Sequence, residues 1–334
     1  AVFHGLPTFA SYVDFVKKYR LGLSGIKARK ALADAIKSVD VVYLTLGSYF
    51  ARDVESLCRR YKKPLMVEVI DDAISAITQT TKYKGVTRKL ALSVAYKMDR
   101  YYKNLCENYP SLILGKELYE RYRPSGSVAC AEFFENLMEE EDYSFGKPLF
   151  IDKKIKLLFV GRLVAMKAVE DLVLAVSQLV SRGCDVQCRI IGYGDTKEQL
   201  VSQVKNLKLE KNIEFVGFVK YGEEMFAQYE WADVFVLPSV GGEGVPRVLI
   251  EALGRGCLVV ATDVCGVSTI VKGGQTGLLV QPRNPLAIAD AIQSLNESES
   301  LRNKVLAGAK AFCFEHTRTK QIEMLHSFIS EHVR

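Results

Sequence analysis

The stretch Asp233–Gly256, DVFVLPSVGGEGVPRVLIEALGRG, holds the reading that decides the fold. Asp233–Leu237 is an apolar run of strand length. A glycine-rich turn follows, with Gly241, Gly242 and Gly244 around Glu243, and then Pro246–Leu253 with helical spacing. Pro246 suits the first turn of a helix, where its missing N–H is not needed, and Gly254 or Gly256 suits the stop. A strand, a glycine turn and a helix in that order make part of a β-α-β unit, and the same alternation continues on both sides.

Upstream, strands are expected at Ile155–Val160, Val186–Ile191 and Ile213–Val216, with helices at Ala168–Ser181, Thr196–Asn206 and Glu223–Gln228. Downstream come strands at Leu258–Ala261 and Leu278–Val280 and a helix at Pro285–Leu295. The first half alternates less evenly: strands at Val41–Leu46, Leu65–Ile70 and Leu112–Leu114, helices at Phe50–Tyr61, Arg88–Asn104 and Lys116–Tyr122. This predicts an α/β fold of parallel sheets with helices on both faces. At roughly 150 residues per domain, 334 residues make about two domains. The acidic, turn-rich Glu139–Asp152 reads as the linker. The expected division is 1–148, 149–314 and a C-terminal helix, 315–334, that returns to the first domain.

Hydrophobic residues at 49% and charged residues at 25% exclude a disordered chain. No apolar run approaches the ~20 residues that span a bilayer. The first twenty residues carry no secretory signal pattern, and the start at Ala1 reads as a processed, tagged or shortened N-terminus. Eight cysteines without a C-x-x-C, far from most of the four histidines, argue against zinc and for buried free thiols in a cytoplasmic protein.

Charge is uneven. Lys17–Lys103 holds 19 Lys/Arg against 8 Asp/Glu, while Asn104–Phe150 holds 4 against 9. The basic stretch has no aromatic-stacking motif for nucleic acid, so no nucleic-acid partner is expected. It is either a set of solvated helix faces or a surface that meets anionic lipid headgroups or a phosphorylated acceptor.

In the second half, the residues with chemistry all follow strand ends. Gly161 and Arg162 follow the first strand, Gly192 and Gly194 the second, Gly217 and Phe218 the third, and Gly241–Gly244 the fourth. A parallel sheet puts these loops on its carboxyl edge, where open α/β folds bind ligands. Helix N-termini pointing into that edge favour an anion such as phosphate. Arg162 and Lys167 add two positive charges. Glu243 lies at the helix mouth and Glu251 two turns in; eight residues at ~100° each let both face one crevice. An isolated E-x7-E is in most cases a capping and a solvated carboxylate, but here the glycines, the proline and the preceding strand argue for a site.

Glu243–Glu251 with its surroundings resembles the E-x7-E signature of retaining glycosyltransferases of the GT-B fold, glycosyltransferase family four (group 1). Gly161-Arg162-Leu163 with Lys167 is similar to the family's G-R-L-x-x-x-K segment, and Ile191–Gly194 to its glycine turn. Phe215–Val219 is similar to its base-binding loop, and Gly273-Gly274 with Thr276–Val280 to its next turn and strand. The resemblance implies that Arg162 and Lys167 hold the donor diphosphate and stabilise it as leaving group. Glu243 would lie against the transferred sugar, and Gly161, Gly192, Gly244 and Val245 would border the donor with Gly244 and Val245 offering backbone N–H groups. Phe218 and Val219 would border the base, and Glu251 would bind the ribose hydroxyls. It further implies a UDP- or GDP-type sugar as donor substrate, no other cofactor, no metal, and a saccharide or lipid-linked acceptor in cell-surface polysaccharide assembly. No Asp-x-Asp motif is present.

The first half resembles the family's acceptor domain in part. Val39–Tyr43 is similar to the strand before the crevice, and Pro64–Asp72 to a strand that often ends in a histidine. Here Ile70, Asp71 and Asp72 stand at that place, so no histidine is carried over. The family's opening strand and Gly-Gly loop are not found before Val39, so the first domain reads as lacking its first strands. A basic first half suits peripheral contact with the inner membrane face. Rival readings are a nucleotide-sugar epimerase of the same architecture and a non-catalytic nucleotide-binding protein. A dinucleotide oxidoreductase is disfavoured because Lys197 stands where the third glycine would be.

Overall fold

Near-continuous apolar runs dictate the sheets. Leu65–Val69 (LMVEV) and Val234–Leu237 (VFVL) bury almost every side chain, the pattern of strands covered on both faces. The structure is a computed structural model describing residues 23–333 except 49, 71–73, 75–76, 79–83, 148, 151–153, 242–243 and 265. It divides into two compact units. One takes the described residues up to Leu114, with Leu118–Phe133 and those from Met324; the other takes Gly115–Glu117 and Phe134–Glu323.

The first unit runs α1 (Leu23–Lys37), β1 (Val42–Thr45), α2 (Ala51–Tyr61), β2 (Leu65–Val69), α3 (Gly85–Asn108), β3 (Ser111–Leu114), α4 (Gly115–Tyr122) and β4 (Cys130–Phe133). Its sheet is wholly parallel in the order β1-β2-β3-β4, with Val42 opposite Leu65, Val67 opposite Ser111 and Ser111 opposite Cys130. Ala28, Leu32 and Ile36 of α1 recur every four residues and enter the core on one side, with Val67, Val69 and Leu105. On the other side Met66, Leu112 and Phe133 pack with Phe328 and Val333.

The second unit runs β5 (Lys154–Val160), α5 (Val169–Ser181), β6 (Asp185–Ile191), α6 (Lys197–Asn206), β7 (Ile213–Gly217), α7 (Glu223–Trp231), β8 (Val234–Leu237), α8 (Arg247–Gly254), β9 (Leu258–Thr262), α9 (Val267–Ile270), β10 (Leu278–Val280), α10 (Pro285–Glu297) and α11 (Glu299–Glu315). Helix α12 (Arg318–His332) follows. The six strands are parallel in the order β10-β9-β8-β5-β6-β7. Reading from the first strand, the chain winds β5-β6-β7 one way, then returns to place β8, β9 and β10 on the other side of β5. This is the Rossmann strand order, with its topological switch between β5 and β8.

Several expected helix starts move: α2, α5, α6 and α8 begin one residue later, after Phe50, Ala168, Thr196 and Pro246, while α4 begins one residue earlier at Gly115 and α3 three residues earlier at Gly85. Pro246 has extended backbone (ψ 109°) and caps α8 rather than opening it. Ala168 stands in the left-handed region (φ 45°), so α5 begins at Val169. Of the two proposed stops for α8, Gly256 carries the turn. With φ 69° it donates to the Leu253 carbonyl at 3.0 Å, and the Cys257 N–H reaches the Ala252 carbonyl at 2.9 Å. That is a Schellman motif, which needs a left-handed residue and favours glycine.

Candidate functional site

The carboxyl edge of the second sheet is stitched loop to loop. The Gly192 N–H donates to the Gly217 carbonyl at 2.8 Å, Gly161 to Ile191 at 3.0 Å, Leu163 to Tyr193 at 2.8 Å, and Val240 to Met166 at 2.9 Å. The ends of β7, β6, β5 and β8 are thereby held side by side, so Phe218, Gly192, Gly161–Lys167 and Gly241 share one edge. The Thr262 hydroxyl ties β9 to the same edge by donating to the Ser239 and Leu237 carbonyls.

Two glycines are obligatory there. A Cβ on Gly192, whose φ is 135°, would lie 1.9 Å from the Gly161 carbonyl oxygen; one on Gly194 would lie 2.0 Å from that of Leu163. The turn after β6 therefore rests directly on the backbone after β5, and any side chain would lift it.

Arg162 is exposed and follows β5; Lys167 is half-buried at the end of the 3-10 turn Ala165–Lys167. Both stand on the β5 side of the switch, where α5 begins. Gly244 is exposed and Val245 buried just before α8. Phe218 is exposed and Val219 half-buried after β7, at the far end of the edge. Glu243 and Gly242 lie outside the described residues.

Glu251 is the sharpest feature. Its side chain is 8% exposed, and its Oε2 accepts from the Tyr229 hydroxyl at 2.8 Å. Burial pushes its carboxyl above the ordinary range, with the Tyr229 bond and the Arg247 charge pulling the other way. The alternative of a solvated Glu251 is thus excluded: the helix carries a buried carboxylate braced by a fully buried tyrosine. Tyr229 itself was not singled out in the sequence. An aromatic hydroxyl at the buried end of α7 needs a partner, and that requirement is the signal that could have found it.

A family model described as "Glycosyl transferases group 1" matches residues 141–312, just over half of the chain. The chain belongs to the group 1 glycosyl transferases. The chain is 32% identical over 185 residues to an uncharacterized glycosyltransferase, MJ1607, of Methanocaldococcus jannaschii, a stretch covering 55% of the chain and 47% of the relative. It is 36% identical over 156 residues to a phosphatidyl-myo-inositol mannosyltransferase of Mycobacterium leprae, covering 46% of the chain and 41% of the relative. The chain spans under half the length of either relative. Among solved structures, Anabaena Alr3699/HepE in complex with UDP matches with a TM-score of 0.72 at 18% identity, over 92% of this chain and 83% of that one. At that identity the likeness shows a shared fold: α/β, with two Rossmann-like parallel-sheet units as in GT-B glycosyltransferases. Among the described residues, no helix is long and apolar enough to cross a membrane.

Proposed function

We propose that this glycosyltransferase moves a sugar, with retention at the anomeric carbon, from a UDP- or GDP-type donor to a saccharide or lipid-linked acceptor in cell-surface polysaccharide assembly. The observation that carries the reading is the switch point between β5 and β8, with Arg162 and Lys167 on one side and the buried Glu251–Tyr229 pair behind the other. The Anabaena neighbour is described in complex with UDP and with UDP-glucose, which supports a nucleotide-sugar donor.

Each residue then has a physical task. Breaking the bond between C1 and the phosphate oxygen leaves positive charge on the sugar and builds negative charge on the diphosphate. Arg162, Lys167 and the N-terminal N–H groups of α8 stabilise that negative charge in place, with no solvent reorganisation. Gly192 and Gly194 let the backbone approach the donor. Phe218 and Val219 border the base, Glu251 accepts from the ribose hydroxyls, and Glu243 stands against the transferred sugar. Gly244 and Val245 donate backbone N–H groups to the sugar or the phosphate. No metal or further cofactor takes part in this reading, and the protein works in the cytoplasm, peripheral to the inner membrane face.

The test is incubation of the full chain with radiolabelled UDP- and GDP-sugars and an extract of saccharide and lipid-linked acceptors. Transfer of label to an acceptor, with the donor's anomeric configuration in the product, supports the reading. Release of nucleoside diphosphate with no acceptor consumed points to the epimerase reaction, and absence of both overturns catalysis.

A further inference from the structure

Helix α3 is anchored at one end and open at the other. Its second half enters the core of the first unit through Tyr102, Leu105 and Cys106. Its first three turns bury little: from Gly85 to Val94 only Ala91 and Leu92 are half-buried, and Ala95 is the first buried residue. On that half, Val86, Leu90 and Val94 are 83%, 67% and 41% exposed. They stand at i, i+4 and i+8, so each is turned ~40° from the last and the three form one stripe along the helix. Scattered exposed apolar side chains are ordinary, but three in register on one helix face ask what covers them.

Charge names the occupant. Between Lys84 and Met98 there is no Asp or Glu, and Lys84, Arg88, Lys89 and Lys97 are all exposed. Arg100 continues the basic side one turn further, also exposed. The first acid of the helix, Asp99, lies on the opposite, buried side and accepts from the Arg121 guanidinium at 2.6 Å. On a helical wheel Lys89 and Arg100 sit beside the Val86–Leu90–Val94 stripe, and Lys97 falls within its span. Tyr96, exposed, stands among the basic residues with a ring that suits a headgroup boundary. A helix with an apolar stripe flanked by lysine and arginine lies in the plane of an anionic bilayer, apolar side down. A nucleic-acid surface would use the cations and leave Val86 and Leu90 in water.

We infer that the first half of α3 is a docking surface for an anionic phospholipid membrane, seated by Val86, Leu90 and Val94 and held by Lys89, Lys97 and Arg100. This deepens the reading of a peripheral enzyme with a lipid-linked acceptor and rests on it.

The experiment is flotation of the full chain with phosphatidylglycerol–phosphatidylcholine vesicles and with phosphatidylcholine alone, at low and high salt. Two variants accompany it: V86S/L90S and K89Q/K97Q/R100Q. The expected result is binding to the anionic vesicles only. It should fall roughly 100-fold in the triple charge variant, at about fivefold per basic residue near an anionic surface. It should fall about tenfold or more in V86S/L90S, whose charges are intact. No flotation of the unaltered chain, equal flotation on both vesicle types, or variants that bind as it does would overturn the inference. So would dissociation of a dimer by V86S/L90S in sedimentation velocity, which would give the stripe to a second copy. Binding of an oligonucleotide undiminished in V86S/L90S, without vesicle binding, would give the face to nucleic acid. Circular dichroism and nucleoside diphosphate binding verify that both variants are folded. Lost flotation with donor binding and transfer to a soluble acceptor intact separates failure of this surface from failure of the enzyme reading.

Discussion

The Tyr229 hydroxyl donates a 2.8 Å hydrogen bond to the Glu251 carboxylate, joining the buried end of α7 to the second turn of α8. The tyrosine is fully buried, so its hydroxyl has no water to turn to, and the bond fixes the carboxylate before any ligand arrives. Removing the hydroxyl with Tyr229→Phe leaves a buried carboxylate short of a donor. A hydrogen bond to a charged group is worth about 1.5–3 kcal/mol, so the variant should lose that much stability at neutral pH in urea denaturation. An unchanged midpoint would show that the pair contributes nothing.

The same burial sets a pH dependence. Glu251 titrates above its ordinary carboxylate range because it is buried. The folded chain therefore holds this proton more tightly than the unfolded chain. Its contribution to stability is fully present below the ordinary carboxylate pKa and is lost as pH rises through the folded value. Glu251→Gln, neutral throughout, should abolish that loss, so the stability difference between variant and parent should shift in the variant's favour from pH 4 to pH 7.5. Ribose hydroxyls favour the ionised carboxylate, so nucleotide affinity should rise over the same window in the parent and stay flat in the variant. A parallel pH course in both proteins would remove Glu251 as the cause.

The positions of β5–β10 along the chain and of the edge loops were legible because these strands are short runs rich in apolar residues, several of them followed by glycine turns; their order within the sheet was not. Among the helix starts that moved, two are set by backbone conformation rather than residue type: Ala168 stands in the left-handed region and Pro246 is extended. In the first unit α1 and β4 were not foreseen. The Ala28–Leu32–Ile36 stripe of α1 is carried by one alanine and two larger residues among three lysines and an arginine. The strand CAEF buries only Phe133. Tyr229 was missed because its value lies in a partner 22 residues away, which spacing along the chain does not show.

Gly192 and Gly194 should tolerate no side chain. Gly192→Ala places a methyl 1.9 Å from the Gly161 oxygen with the backbone at φ 135°, and Gly194→Ala one 2.0 Å from the Leu163 oxygen. Each should cost roughly 2–4 kcal/mol and displace the turn beside Arg162. Gly47→Ala, at φ 104° with nothing within 4 Å of the new methyl, should cost only the backbone strain. Thermal melts of the three variants decide this, and equal losses in all three would refute the steric account.

Arg162→Ala and Lys167→Ala should each weaken nucleoside diphosphate binding by roughly 10- to 100-fold and leave nucleoside binding nearly unchanged, since each charge-assisted bond contributes about 1.5–3 kcal/mol. Equal losses for nucleoside and diphosphate, measured by calorimetry, would place these residues elsewhere.

In the proposed reading Glu243 acts on the transferred sugar, so Glu243→Gln should lower turnover more than donor affinity. Steady-state kinetics with the donor varied separates the two, and a change confined to KM would move Glu243 to the nucleotide.

The most direct measurement is calorimetric titration of the full chain with UDP and GDP and with their 2′,3′-dideoxy counterparts, in the parent and in Glu251→Ala. The account predicts that one ribonucleotide binds about 10- to 150-fold more tightly than its dideoxy form in the parent, and that the difference vanishes in the variant. No binding of either nucleotide at millimolar concentration, or the same ribose discrimination with Glu251 removed, would contradict it.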